Sequence, residues 1–351
     1  MEYNIFNMKQ SYVIGIDISK SKIDCVVMSS KFELIKEIEI GNTDLKIKQF
    51  IKKILLELKL SESDILVCCE NTGIYNRPLE RVCQELGVDI WVEHALKIKR
   101  ASTDMRGKND RQDARRIAEY AVRYNDKQIL FKEPLEVIKE LNINMKIRET
   151  LIEQKVAIQN QLRESKSHDK KEYDQLNQGY KQILKALVKS IENVEMKIYE
   201  LSRKHVEISE NIDLMTSIPG IGAQNALNIL IATNNFQTFN SAKHLACYAG
   251  VVPFQNQSGT LIKRDRVSKM ANKKLKKLLH MAAMCAIRYD LDIKEYYQKK
   301  VGEGKNKMSV LNAIRNKLVH RIMAVINRKT PYIKKISEKI SESEEKVCIL
   351  T

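Results

Sequence analysis

Tyr173, Leu176, Tyr180, Ile183, Leu187, Ile191, Val194, Ile198 and Leu201 recur at spacings of three and four. A stripe this sustained, flanked by charged residues, has the period of a long helix with one apolar face and the heptad character of a coiled coil. A weaker copy precedes it at Ile147, Leu151, Ile158 and Leu162, and SKSHDKKE between the two is the turn. The pattern predicts two long helices over residues 131–210, paired with each other or with another chain. Two helices of an ordinary bundle account for the same stripe. Either way, the stripe divides the 351-residue chain, which is long enough for two or three domains with real cores. Only five prolines and twelve glycines agree with long helices and few loops.

Before the stripe, residues 1–130 read as α/β. YVIGIDIS is apolar and β-branched, SKSK turns, IDCVVMSS follows and FELIKEIEI alternates. Residues 44–59 have helical spacing at Leu45, Ile47, Phe50, Ile51, Ile54 and Leu55. DILVCCE (64–70) is a buried strand ending in an acid, Pro78 to Leu86 a helix, and VDIWVEH (88–94) another strand. KNDRQDARRIAEYAVRY is a final helix, with Asn109 at its cap position. Three strands followed by helix, strand, helix, strand, helix is the order of an RNase H-like domain. Several other α/β folds share the strand count.

Four acids stand out. Asp17 lies among Val13, Ile14, Ile16 and Ile18, where a carboxylate is costly unless paired or metal-bound. Glu70 ends the strand after Leu66, Val67, Cys68 and Cys69. Asp110 and Asp113 share one helical face by their spacing of three. Acids are also ordinary in a first helical turn, so this pair alone says little. In an RNase H-like sheet, however, these strands are neighbours and the last helix packs at the same edge. Four converging carboxylates repel and call for cations, and oxygen-only ligands suit Mg²⁺ or Mn²⁺ rather than zinc. Two such ions can serve both oxygens of a phosphoryl displacement.

After the stripe, residues 211–336 read as mostly helical. SIPGIGAQNALNILIAT has a tight turn like the hairpin of helix-hairpin-helix modules. The backbone N–H groups at Gly220 and Gly222 could hold a phosphate there, and a plain helix–helix turn explains the glycines equally well. CYAGVVPFQNQSGTLIKRDR reads as irregular and holds Ser258 in a loop. SKMANKKLKKLLHMAAMCAIRYD is a basic amphipathic helix with Ser268 at the cap position, and MSVLNAIRNKLVHRIMAVINRK is another helix. Lys263, Arg264, Arg266, Lys269, Lys273, Lys274, Lys276 and Lys277 put eight cations into fifteen residues against Asp265 alone, which favours phosphate contact. Residues 337–351, rich in Ser and Glu, read as a disordered tail.

The whole composition points the same way. Lys and Arg number 61 against 44 Asp and Glu, a formal charge of +17 that favours a polyanion. No apolar run approaches the roughly 20 residues of a membrane span, and MEYNIFNMKQ lacks the core of a signal peptide. The seven cysteines form no C-x-x-C pair and read as reduced core residues of a cytoplasmic protein; with the basic surplus, the expectation is a nucleoid-associated protein with no membrane partner.

GIDISK (15–20), E-N-T-G-x-Y (70–75) and K-N-D-R-Q-D-A (108–114) resemble the DEDD transposases of a bacterial insertion-sequence family, whose domain is shared by Piv-type DNA invertases. IPGIG (218–222), YAGVVP and QSG (248–259) and VSKMANKKLKKLL (267–279) resemble that family's C-terminal domain, in the same order. The resemblance implies a RuvC-like N-terminal domain, a coiled coil and a mostly α transposase domain. It implies Asp17, Glu70, Asp110 and Asp113 as a Mg²⁺-binding tetrad and Ser258 as a nucleophile. Ser268 competes for that role, though its position suits a cap. It further implies donor and target DNA, a structured noncoding guide RNA, and a homo-oligomer of two to four copies with active sites shared between protomers. A metal-dependent nuclease or junction resolvase using water, and a non-catalytic nucleic-acid scaffold, are the rival readings.

Overall fold

The structure is a computed structural model that describes residues 10–101, 110–239, 241–258, 261–267 and 271–333, with backbone alone at 110, 254–258 and 261–266. The chain forms two compact units, Met1–Glu133 and Pro134–Thr351. Asn109, Ser268, Lys269 and the tail from 337 lie outside the described residues. No helix among the described residues is long and apolar enough to cross a membrane.

The first unit is built on β1 (Tyr12–Ile18), β2 (Lys22–Ser29), β3 (Leu34–Gly41), α1 (Asp44–Leu58), β4 (Ile65–Glu70), α2 (Arg77–Leu86), β5 (Asp89–Glu93), α3 (Ala95–Ala101) and α4 (Asp110–Arg123). The sheet runs β3-β2-β1-β4-β5. The first three strands are antiparallel, and β4 and β5 join parallel to β1. This mixed order is the RNase H-like, RuvC-like fold. Side chains alternate across the sheet. Ile14, Ile16, Val67 and Ile90 pack with α1 and α2 on one face, and Val13, Val26, Leu66, Cys68 and Trp91 with α4 on the other. At Gly15 a Cβ would come within 2.4 Å of the Ala118 amide nitrogen and 2.5 Å of the Ala114 carbonyl oxygen. Glycine on the strand and alanines on the helix therefore let α4 lie directly on β1. The short helix α3 does not stand out in the sequence, because Ile98 is its only buried side chain.

The second unit contains α5 (Glu136–His168), α6 (Lys170–Lys204), α7 (Val206–Thr216), α8 (Ala223–Ala232), α9 (Ala242–Tyr248), β6 (Pro253–Ser258), β7 (Leu261–Val267), α10 (Lys273–Tyr289), α11 (Leu291–Gly302) and α12 (Lys307–Arg328). Asp169 alone separates α5 from α6 and caps α6 by accepting from the Lys171 and Glu172 amides. The two helices pack antiparallel, as shown by the Arg148–Glu195 ion pair at 2.6 Å and the Tyr180 hydroxyl donating to Gln161 at 3.0 Å. Leu187, Ile191 and Ile198 of the stripe are buried, whereas Ile183 is exposed. One core joins Leu141, Met145 and Ile198 to Ile212, Leu230, Leu279, Ala282, Ile314 and Ile322.

Two expectations need correction. The stretch after Tyr248 is a β-hairpin rather than an irregular loop, with Pro253 paired to Val267 and Ser258 to Leu261. Its sequence is polar on both faces, so no alternation announces it. The α10 cap is Asn272, whose Oδ1 accepts from the Leu275 amide at 3.0 Å, and the helix begins beyond Ser268.

Candidate active site

Alternation along β1 puts Asp17 on the face of Val13 and Gly15, the face covered by α4. The parallel register sets Ile16 beside Cys69, so Glu70 follows beside Asp17 at the strand ends. Asp17 pairs with Asp24 of β2, and Glu70 with Glu93 of β5. Asp24 shares its face with Val26 and Met28, and Glu93 with Trp91. A row of four carboxylates, Asp24–Asp17–Glu70–Glu93, therefore crosses one end of the sheet beneath α4. Asp113, beside the Ala114 that docks on Gly15, joins it from above. Asp110 opens the same helix, and its side chain is outside the described residues.

These acids are compensated unequally. Glu93 is buried and receives the Lys97 ammonium at 3.0 Å, the Tyr120 hydroxyl at 3.3 Å and the His94 amide at 2.7 Å. Burial and then Glu93 push the Tyr120 phenol up. Asp24 is buried with Lys22 at 3.7 Å, and Asp113 accepts from Arg116 at 2.6 Å. Glu70 differs. It is half-buried, and among the described residues no cation pairs with it. Burial, and then the charge of Asp113, hold its carboxyl above the usual carboxylate range. Its strand end is held from below: the buried Asn76 donates to the Glu70 carbonyl at 2.7 Å and accepts from the Thr72 amide at 2.7 Å. That clamp explains E-N-T-G-x-Y as a positioning turn.

Sequence reasoning missed Asp24, Glu93 and Asn76. Only the strand register reveals the first two. The donors are all carboxylates, a set that fits a hard divalent cation. Among the described residues no three metal-ligating side chains close into a cage, so the row is open. Cys68 and Cys69 are buried beside this row, and burial pushes Cys69 up to about 12 and raises Cys68 as well, which disfavours their thiolates. His94 takes a local role, its Nδ1 accepting from the Leu96 amide at 3.2 Å.

In the second unit Ser258 ends β6, and Lys263, Arg264 and Arg266 lie on β7. Lys273 and Lys277 are exposed on α10, Lys276 is half-buried, and Lys274 is paired with Glu149 at 2.6 Å. Gly220 has φ +94, and a Cβ there would meet the Ala282 carbonyl oxygen at 2.5 Å, so it seats the α7–α8 turn on α10. Gly222 is the N-cap of α8.

An RNase H-like sheet with acids along its strand ends and a helix-borne acid above them defines a RuvC-like DEDD protein. Residues 14–165 match the IS110-type DEDD transposase domain, and residues 212–298 match the domain described as "Transposase IS116/IS110/IS902 family". The chain belongs to this family of insertion-sequence transposases and is related to the pilin gene-inverting proteins. The Moraxella bovis pilin gene-inverting protein is 27% identical over 94% of this chain and 100% of its own length. The transposase for insertion sequence element IS1111A of Coxiella burnetii is 26% identical over 64% of this chain and 68% of its own. A solved structure, T. thermophilus RuvC in complex with Holliday junction substrate, aligns at TM-score 0.28 and 13% identity over 35% of this chain and 100% of its own. At that level the strand order, not the superposition, defines the fold.

Proposed function

We propose that this transposase is a site-specific DNA recombinase that cuts and rejoins DNA through a phosphoserine at Ser258, with Asp17, Glu70, Asp110 and Asp113 holding Mg²⁺ or Mn²⁺. The observation that carries the reading is Glu70, half-buried against Asp113 without a paired cation among the described residues. A bound divalent cation would supply Lewis-acid stabilisation of charge on the phosphoryl oxygens. The chain's own chemistry is an exchange of phosphoesters. Ser258 Oγ loses its proton and bonds to phosphorus. The bond from phosphorus to one strand oxygen breaks, and that oxygen takes a proton. A hydroxyl of another strand then attacks the same phosphorus, the serine–phosphate bond breaks, and Ser258 regains its proton. One phosphoester replaces another at each step, so no external energy source is needed.

The +17 charge supports a nucleic-acid substrate. We assign target selection to a structured noncoding RNA. Exposed Ile147, Val156, Ile183 and Val188 on α5 and α6 support association of copies through this hairpin.

The test uses a nicked DNA substrate that prevents religation, with Mg²⁺ and the RNA that copurifies with the protein. Wild type should leave a covalent protein–DNA adduct that maps to Ser258, and Ser258→Ala should lose it while still binding nucleic acid. An adduct on Ser268 would move the nucleophile. The acid row serves a water nucleophile equally well, so a metal-dependent nuclease or junction resolvase is the second reading. Cleavage by wild type with no adduct would establish it.

A further inference from the structure

Arg315 lies on the apolar face of α12 between Ile314 and Leu318 and is 6% exposed. An arginine stays charged at any pH where the protein is folded, and a buried cation without a counter-ion is strongly unfavourable. Three other cations of this unit do have carboxylates: Arg321 has Asp290 at 2.5 Å, Arg203 has Asp213 at 2.7 Å, and Lys274 has Glu149 at 2.6 Å. Arg315 has none among the described residues. Its recorded partner is a histidine, with Nη2 3.0 Å from His280 Nδ1, and its Nε is buried without any partner.

The guanidinium can only donate, so His280 Nδ1 accepts and the imidazole carries its proton on Nε2. Lys276 precedes His280 by four residues and stands on the same face of α10. Both are half-buried, and both are pushed below their ordinary values, first by burial and then by the Arg315 charge. The Lys276 ammonium, Arg315 Nε and His280 Nε2–H thus make three donors with no protein acceptor among the described residues. Asn312, one turn before Arg315, donates to the Val251 carbonyl at 2.7 Å, which ties α12 to the segment entering β6. The cluster therefore stands at the base of the hairpin. Ser258 ends the same strand five residues beyond Pro253, about 17 Å away at a strand's rise. A group held at the base is not the one that Ser258 attacks.

We propose that Arg315, Lys276 and His280 form a phosphodiester-binding site, which grips a nucleic-acid backbone phosphate several nucleotides from the scissile one; this rests on the reading of the protein as a transposase. The polymer is DNA or RNA, which share this chemistry, and the test separates them.

The experiment measures full-length protein binding to a labelled 30-base-pair DNA duplex and, separately, to a labelled 30-nucleotide RNA over a salt series. Lys276→Gln should weaken binding several-fold and reduce the salt slope by about 1, the signature of one lost phosphate contact. Arg315→Met should weaken binding roughly tenfold, as expected for a lost charge-assisted contact. It should also leave the thermal midpoint of the free protein unchanged or higher, since removing an uncompensated buried charge relieves the fold. A purely structural arginine would lower that midpoint. Effects confined to the duplex identify a DNA phosphate, and effects confined to the RNA identify an RNA phosphate. Wild-type affinity and slope in both variants, with both polymers, overturn the site and leave the transposase reading intact. If wild type binds neither polymer, both fall together.

Discussion

At the sheet edge of the first unit, Glu70 is half-buried against Asp113 with no paired cation among the described residues. In the helical unit, Arg315 is buried against His280, near enough to Lys276 to disfavour its charge, with no paired carboxylate among the described residues. Each has a well-compensated neighbour of the same charge. Glu93, next to Glu70, has Lys97 and Tyr120, and Arg321, further along the helix from Arg315, has Asp290. The imbalance is thus local and of opposite sign in the two units, which a chain merely rich in basic residues would not produce. Under the proposed function, divalent cations would supply the charge that the first unit lacks, and a backbone phosphate the charge that the second lacks.

The largest effect should come from the acids. Asp17→Ala, Glu70→Ala, Asp110→Ala and Asp113→Ala should each lower strand exchange by at least about 100-fold, the scale of losing preorganised electrostatic stabilisation. The salt slope of nucleic-acid binding should stay at the wild-type value. A variant that recombines fully removes its residue from the site.

Two glycines set the comparison up in reverse. Gly15 seats α4 on β1, and Gly220 seats the α7–α8 turn on α10. Alanine at either should destabilise its own unit by about 2 kcal/mol or more, because backbone must move. Hydrogen exchange should rise around β1 and α4 for Gly15→Ala, and around α8 and α10 for Gly220→Ala. Identical exchange patterns in the two variants would show that the sites are not independently built.

A smaller effect separates the two faces of the long hairpin. Ile183→Glu with Val188→Glu, both at exposed positions, should lower the assembly mass seen by light scattering and leave the melting temperature within a few degrees. Leu187→Glu should instead unfold the hairpin, because Leu187 is buried within it. An unchanged mass in the double variant means that the exposed stripe joins no copies.

The smallest effect is on stability. Because Glu70 binds its proton more tightly in the folded chain, its ionised form opposes folding at neutral pH, and this penalty fades as pH falls below the ordinary carboxylate range. Glu70→Gln should stabilise the metal-free protein by no more than about 1 kcal/mol at pH 7, a bound set by solvent screening of a half-exposed group. The gain should vanish in acid. A less stable Glu70→Gln at pH 7 would mean that the carboxylate has a partner after all.

The sheet was legible because its strands are short apolar runs bounded by turns, and Asp17 and Glu70 stood out as acids inside them. Asp24 and Glu93 did not, since an acid in a strand reads as a solvent-facing residue until its register is known. Ser258 was legible as a residue but not as the end of a strand, because QNQSGTLIKRDR has no apolar face. Arg315 was invisible for a different reason: α10, which covers it together with His280, is distant in sequence. The stripe from Tyr173 to Leu201 gave the long helix α6 correctly, but it could not say that Leu187 faces inward while Ile183 faces out.

The single-residue link at Asp169 has a consequence for engineering. Helices of 33 and 35 residues joined so tightly cannot slide past one another, so their pairing is locked along the whole length. The hairpin is then a ruler with graduations. Removing seven residues from each arm would shorten it by about 10 Å and return every remaining side chain to its partner, whereas removing five would turn the apolar face by about 140°. Arms cut in whole heptads make a calibrated spacer, one that varies the length of the hairpin while every other surface of the protein stays as it was.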